Sequence, residues 1–112
     1  MKREQRLRAP GDFRRVRELA RRGAAHPLLV LYAAPNDLGR TRVGITVSGR
    51  VGSAVVRNRV RRRLRAALDE RFERLPSSAD VVVTARASSA QASYAELCQA
   101  LESVIPRARL HA

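Results

Sequence analysis

The sequence predicts an α+β fold: a small mixed sheet with helices packed on it, in the order helix, strand, strand, helix, strand, helix. Three observations carry this expectation. Apolar residues recur at helical spacing over residues 53–73 and again from Tyr94 to Ile105. Residues 42–48 alternate apolar and polar with a period of two. Two short apolar runs, Leu28 to Ala34 and Asp80 to Arg86, are bounded by turn-forming or capping residues and have strand length.

Each element has its own local reason. Residues 1–9 are basic and lack apolar periodicity, which predicts a flexible basic arm on a single domain spanning 1–112. Asp12 can cap a helix over about 13–22, with Phe13, Val16 and Ala20 on one face and Gly23 as its stop. Leu28 to Ala34 reads as a central strand buried on both faces. Pro35-Asn36-Asp37-Leu38-Gly39 supplies turn chemistry. In the next strand Val43, Ile45 and Val47 point one way. Arg42, Gly44, Thr46 and Ser48 point the other, giving a polar face able to bind a ligand. Gly52-Ser53 opens the long helix, whose apolar stripe is Val56, Val60, Leu64, Ala67 and Leu68. Asn58, Arg59, Arg61, Arg62, Arg63 and Arg65 fall outside that stripe, and Arg57 lies near its edge. Pro76-Ser77-Ser78 breaks the chain before the valine-rich third strand. Ser93-x-x-Glu96 is a capping box. It starts a helix lined by Tyr94, Leu97, Cys98, Leu101, Val104 and Ile105 and stopped at Pro106.

Charge narrows the function. The 112 residues carry 23 Lys or Arg against 10 Asp or Glu, a formal net charge of +13. Residues 1–22 hold nine basic side chains and three acids; residues 40–65 hold nine arginines and no acid. Residues 23–39 and 66–112 are each at net −1, so two segments carry the whole excess. A solubility charge would intersperse its signs. Two uncompensated patches are a footprint for phosphates. The apolar share of 45% suffices for a core, and no run approaches a membrane span, so a membrane partner is not expected. One cysteine, Cys98, excludes an intrachain disulfide and fits a reducing cytoplasm.

Catalytic chemistry is sparse. The two histidines, His26 and His111, have no Cys, Asp or Glu at ligand or triad spacing. Cys98 falls on the apolar stripe of the last helix and reads as a buried, inert thiol. Asp69, Glu70 and Glu73 are read as helix-surface acids, with Glu70 pairing Arg74 at i,i+4. Gly49-Arg50-Val51-Gly52 lacks the glycine count and the Lys-Ser/Thr ending of a phosphate loop. These residues describe a binder and not a self-sufficient catalyst.

The densest feature is Gly52-Ser53-Ala54-Val55-Val56-Arg57-Asn58-Arg59-Val60-Arg61-Arg62-Arg63-Leu64-Arg65, with six arginines in the nine residues 57–65. A solvated helix face normally mixes signs, whereas no acid occurs between Asp37 and Asp69. Asn58 adds a donor and acceptor suited to a base edge or a 2′-hydroxyl.

Val47-Ser48-Gly49-Arg50-Val51-Gly52-Ser53-Ala54-Val55-Val56-Arg57-Asn58-Arg59 closely resembles the signature of the bacterial ribonuclease P protein subunit. The likeness runs outward through Leu7 to Asp12-Phe13, Leu29-Val30-Leu31-Tyr32, Arg42-Val43-Gly44 and Asp80-Val81-Val82-Val83-Thr84-Ala85-Arg86. The resemblance implies an α/β sandwich with a left-handed βαβ crossover around the basic helix. It implies a partner RNA that performs the chemistry with Mg²⁺, hydrolysing precursor tRNA to remove its 5′ leader. Magnesium would be held mainly by that RNA, with none bound by this chain alone. The protein would bind the RNA and the leader and aid substrate and metal binding.

Carried over by position, Arg50, Arg57, Asn58, Arg59, Arg61, Arg62 and Arg65 would contact the catalytic RNA. Phe13, Arg17, Tyr32, Arg42, Thr46 and Arg86 would contact the leader. Single strands bind by stacking on aromatics above a basic groove, which suits Phe13 and Tyr32. Their spacing also fits a core role, Phe13 with Val16 and Ala20, Tyr32 with Leu28 and Val30. Two positions depart from the family pattern: Arg17, where a second aromatic is common, and Gly49, where a basic residue is common. A ribosomal-type structural RNA-binding protein would share the charge but leave precursor-tRNA turnover unaffected. A duplex-DNA module would need a recognition-helix pair that the sequence lacks.

Overall fold

The computed structural model describes residues 1–20 and 22–108. It contains α1 (Pro10–Ala20), β1 (Ala24–Ala25), β2 (Leu29–Pro35), β3 (Arg42–Val47), α2 (Ala54–Glu70), β4 (Ala79–Ala85) and α3 (Tyr94–Val104), with short 3₁₀ turns between several of them. The sheet order is β1-β2-β4-β3. β4 runs antiparallel to β2 and parallel to β3. Adjacent parallel strands need a crossover, and α2 is that crossover.

The predicted α+β class and element order hold, with differences at the edges. α1 begins at Pro10, where a missing N–H costs nothing and a fixed φ suits the first helical residue. Asp12 therefore sits in the first turn and does not cap. α1 stops at Ala20, and Gly23 then carries the chain past the sheet. A Cβ at Gly23 would collide with the Val30 side chain and the Tyr32 ring. β1 was not expected: two residues are too few to show any period. It pairs Ala24 with Leu31 and Ala25 with Val30. α2 ends at Glu70, and a 3₁₀ turn from Phe72 to Arg74 takes its place over the expected last turn. Glu70 and Arg74 are thus not on one helix. Glu70 pairs instead with Arg71 at 3.5 Å, and Arg74 with Glu102 of α3 at 3.5 Å.

The sheet is covered unequally. One face buries Leu29, Leu31, Val43, Val47, Val81 and Val83 against Val60, Leu64, Ala67 and Leu68 of α2 and Leu97, Ala100, Leu101 and Val104 of α3. The other face carries only α1, whose Val16 joins Leu7, Ala34 and Val82, with Phe13 and Tyr32 half-buried at the margin. The strand buried on both faces is β4, from Ala79 to Val83, and not β2, where Val30 and Tyr32 remain half-exposed. A single 11-residue helix cannot cover the whole second face.

Residues 1–9, expected as a free arm, dock. Leu7 is buried, its N–H donates to the Val43 carbonyl at 2.8 Å, and Arg6 bridges Val43 in parallel. Leu7 and Met1, the latter packed on the main core, anchor the segment, and the otherwise open edge of β3 supplies the backbone partner. Among the described residues no helix is long and apolar enough to cross a membrane.

Candidate nucleic-acid interface

The basic helix is positioned from its inner stripe. Val60, Leu64, Ala67 and Leu68 are fully buried, so the intervening arginines must point to the flanks or outward. Ser53 caps the helix, its Oγ accepting from the Val56 N–H at 3.4 Å. Arg50, in the preceding 3₁₀ turn, is exposed, as are Asn58 and Arg62. Arg57, Arg59, Arg61 and Arg65 are half-buried.

The six arginines do not form one uniform face. Arg61 donates to the Asn58 Oδ1 at 2.9 Å. With Arg65 it walls a groove of about 300 Å³ whose other lining includes Arg6, Arg8, Phe13 and Ile45. The two basic segments of the sequence therefore meet here, brought together by the docked residues 1–9. On the opposite flank Arg59 donates to the Ala90 carbonyl at 3.0 Å and Arg63 to the Ala92 carbonyl at 2.8 Å. These two, with Arg62, Ala66 and Tyr94, line a second groove of about 400 Å³. The Nε atoms of Arg57 and Arg59 are buried without a hydrogen-bond partner among the described residues.

The sparsely covered sheet face carries a third groove, about 650 Å³, lined by Pro10, Phe13, Arg14, Arg17, Glu18 and Thr46. Gly44, in the lining of the groove of about 300 Å³, sets how closely the Phe13 ring approaches the sheet. A Cβ there would strike Cε1 and Cζ of the Phe13 ring and press on Leu7 Cβ at 3.1 Å. The Arg17 guanidinium lies over the Tyr32 ring, 5.6 Å from its centroid. Thus Phe13, Arg17 and Thr46 come together, with Tyr32 beside them. Arg86, just past β4, is exposed and lies outside the groove lining.

Arg42 is engaged elsewhere. Asp80 is fully buried, and its carboxylate accepts from Arg42 Nε at 2.9 Å and NH2 at 2.7 Å. Asn36 Nδ2 donates to it at 2.8 Å, and Arg15 approaches at 3.4 Å. Asp12 stands 3.6 Å from the Arg42 guanidinium. Burial alone would raise the Asp80 carboxyl. The hydrogen bonds from Arg42 and Asn36, with the charges of Arg42 and Arg15, outweigh it and hold the group below the ordinary carboxylate value. The Asp80 hydrogen bond in turn raises Arg42 despite its own burial. Asp80, Asn36 and Arg15 were missed from the sequence. A lone acid opening a valine-rich strand is their one visible sign.

The remaining candidates are structural. His26 Nδ1 accepts from the Leu28 N–H at 3.0 Å and shapes a turn. His111 lies outside the described residues. Cys98 is half-buried and packs on the main core, less enclosed than its apolar stripe suggests. Among the described residues no three His, Cys, Asp or Glu side chains stand close enough to hold a metal ion.

The family model for ribonuclease P matches residues 1–109. The chain belongs to the ribonuclease P protein family. It is 42% identical over 110 residues to the ribonuclease P protein component of Herpetosiphon aurantiacus, covering 98% of this chain and 89% of that one. The same component of Roseiflexus castenholzii is 38% identical over 109 residues, covering 96% and 88%. Among solved structures, the Staphylococcus aureus RNase P protein superposes with a TM-score of 0.83 at 26% identity, over 92% of this chain and 94% of that one. The Thermotoga maritima RNase P protein shares the fold with a TM-score of 0.82 at 22% identity, over 93% and 97%. Membership makes the chain a protein subunit of ribonuclease P, an endoribonuclease of tRNA processing, with the RNase P RNA as its partner.

Proposed function

We propose that this ribonuclease P protein binds the catalytic RNA through α2 and the 5′ leader of precursor tRNA across the open face of the sheet. The observation that carries the reading is the division of labour between the two faces of one sheet. Uncompensated arginines line both flanks of α2, one flank meeting Phe13 at the β3 edge, and a larger groove of Phe13, Arg14 and Arg17 lies on the α1 side. Arg50, Arg57, Asn58, Arg59, Arg61, Arg62 and Arg65 supply the contacts to the catalytic RNA. Phe13 and Tyr32 offer ring edges and faces to leader bases, Arg17 and Arg86 neutralise leader phosphates, and Thr46 offers a hydroxyl. Arg42 acts at one remove, fixing α1 and β3 to Asp80.

In this reading water attack on the scissile phosphodiester belongs to the RNA and its Mg²⁺, as the family resemblance implies, and the protein contributes binding. The protein lowers the magnesium requirement by adding cationic binding energy to the substrate. Precursor tRNA processing at low Mg²⁺ in the bacterial cytoplasm is the setting this reading implies.

Reconstitution with the cognate RNA tests it. The protein should raise 5′ processing of precursor tRNA at low Mg²⁺ and cleave nothing by itself. Phe13→Ala should weaken substrates that carry a leader more than leaderless ones. Absence of stimulation would leave a ribosomal-type RNA-binding role, and equal losses for the two substrates would return Phe13 to the core.

A further inference from the structure

The groove between α2 and the start of α3 shares Arg59 and Arg62 with the RNA face proposed above, but its Arg63 and Tyr94 are assigned no role there. Its lining is Arg59, Arg62, Arg63, Ala66 and Tyr94, with no acid among them. Two of its guanidiniums are already oriented. Arg59 and Arg63 each give one terminal nitrogen to a carbonyl of the 90–92 segment, which leaves other donors of each planar fork free to meet a phosphate. Arg62 is exposed. Tyr94 is half-buried: part of it packs on the main core while part lines the groove. Its position is fixed by the capping box, Ser93 N–H to Glu96 Oε1 at 2.9 Å and Glu96 N–H to Ser93 Oγ at 3.1 Å. Glu70, at the end of α2, pairs with Arg71 at 3.5 Å and also stands against the Tyr94 hydroxyl. Burial, Cys98 and Glu70 together hold that hydroxyl above its ordinary value, so the ring offers its face and not its hydroxyl to a nucleotide. An aromatic beside three cations and a small Ala66 floor is the composition that holds an unpaired nucleotide, base on the ring and phosphate on the arginines.

We infer that this groove receives one unpaired nucleotide of the catalytic RNA, stacked on Tyr94. The inference rests on the proposed RNA-binding role of α2. The catalytic RNA is the source because the groove lies on the α2 and α3 side of the sheet, across from the face proposed for the leader. It makes Tyr94 a recognition residue and gives Arg59 and Arg63 a double task, bracing the 90–92 segment and holding a phosphate.

The chain contains no tryptophan, so Tyr94→Trp installs a single fluorescent reporter at the site. Its emission should be quenched by the catalytic RNA and not by a free leader oligonucleotide. Tyr94→Leu should bind the catalytic RNA roughly ten-fold more weakly. Its salt dependence should be unchanged, because no ionic contact is lost. Tyr94→Phe should bind as the parent does. An unquenched Tyr94→Trp, or quenching by the leader oligonucleotide alone, overturns the assignment. Arg57→Ala separates the two levels of argument. If it flattens the salt dependence while Tyr94→Trp stays unquenched, the stacking site falls and the α2 interface stands. If it changes nothing either, the α2 interface falls as well.

Discussion

Asp80 ties together the elements on the α1 face of the sheet. It is buried at the start of β4, yet its carboxylate meets two guanidiniums and an amide drawn from α1, β3 and the β2–β3 turn. Removing the charge leaves the half-buried Arg42 beside an uncharged group. Asp80→Asn is therefore expected to cost about 2–3 kcal/mol, the lower part of the range for breaking a buried pair because Arg15 and Arg42 still reach solvent. The sign with pH follows from the depressed carboxyl. Its folded value lies below the unfolded one, so the stabilisation is complete above about pH 4 and is lost as pH falls through the folded value. Urea unfolding of parent and Asp80→Asn should differ most at neutral pH and converge in acid. A difference that stays constant from neutral pH into strong acid would mean the ion pair contributes nothing.

At the scale of elements, α2 was the most legible part of the sequence, because both its stripe and its charge repeat at helical spacing. The stripe Val56 to Leu68 and the Ser53 start are where the pattern puts them. What the pattern could not give is which neighbour each flank meets. Helical spacing places Arg59 and Arg63 off the stripe, but only tertiary packing sets them against the Ala90 and Ala92 carbonyls. The same limit hid Asp80, whose partners lie 38 to 65 positions away in sequence. Residues 1–9 were misread because one leucine makes no period. Charge on α2 has a measurable consequence. Arg57→Ala and Arg62→Ala should each reduce the slope of log affinity for the catalytic RNA against log salt by about one, as expected for a lost phosphate contact. Unchanged slopes in both would put the RNA on another surface.

For the whole molecule, the question is whether a net charge of +13 opposes the fold or is absorbed by ion pairs. The molecule measures 36 × 26 × 26 Å. The screening length of about 30 Å at 0.01 M salt is comparable to that size, and that of about 10 Å at 0.1 M is well below it. In dilute salt every arginine feels the others; at higher salt only close neighbours interact. Among the described residues the ion pairs outside the Asp80 cluster each leave the carboxylate exposed to solvent: the Arg71 and Arg74 pairs with Glu102, Arg71 with Glu70, and the Met1 ammonium with Asp69. Such pairs contribute about 0–1 kcal/mol each. The Asp80 cluster is buried and screened least. Repulsion acts across the groove where Arg6, Arg8, Arg61 and Arg65 converge with no carboxylate in the lining. The balance favours repulsion as the larger salt-sensitive effect. Raising sodium chloride from about 10 mM to about 300 mM should therefore raise the Tm of the free protein, since screening relieves the excess over this range. Arg61→Gln combined with Arg65→Gln should raise the low-salt Tm and shrink the salt response, at the expense of RNA affinity. A Tm that falls with salt would show that the ion pairs dominate, and that the arginines converging on the groove impose no cost on the free fold.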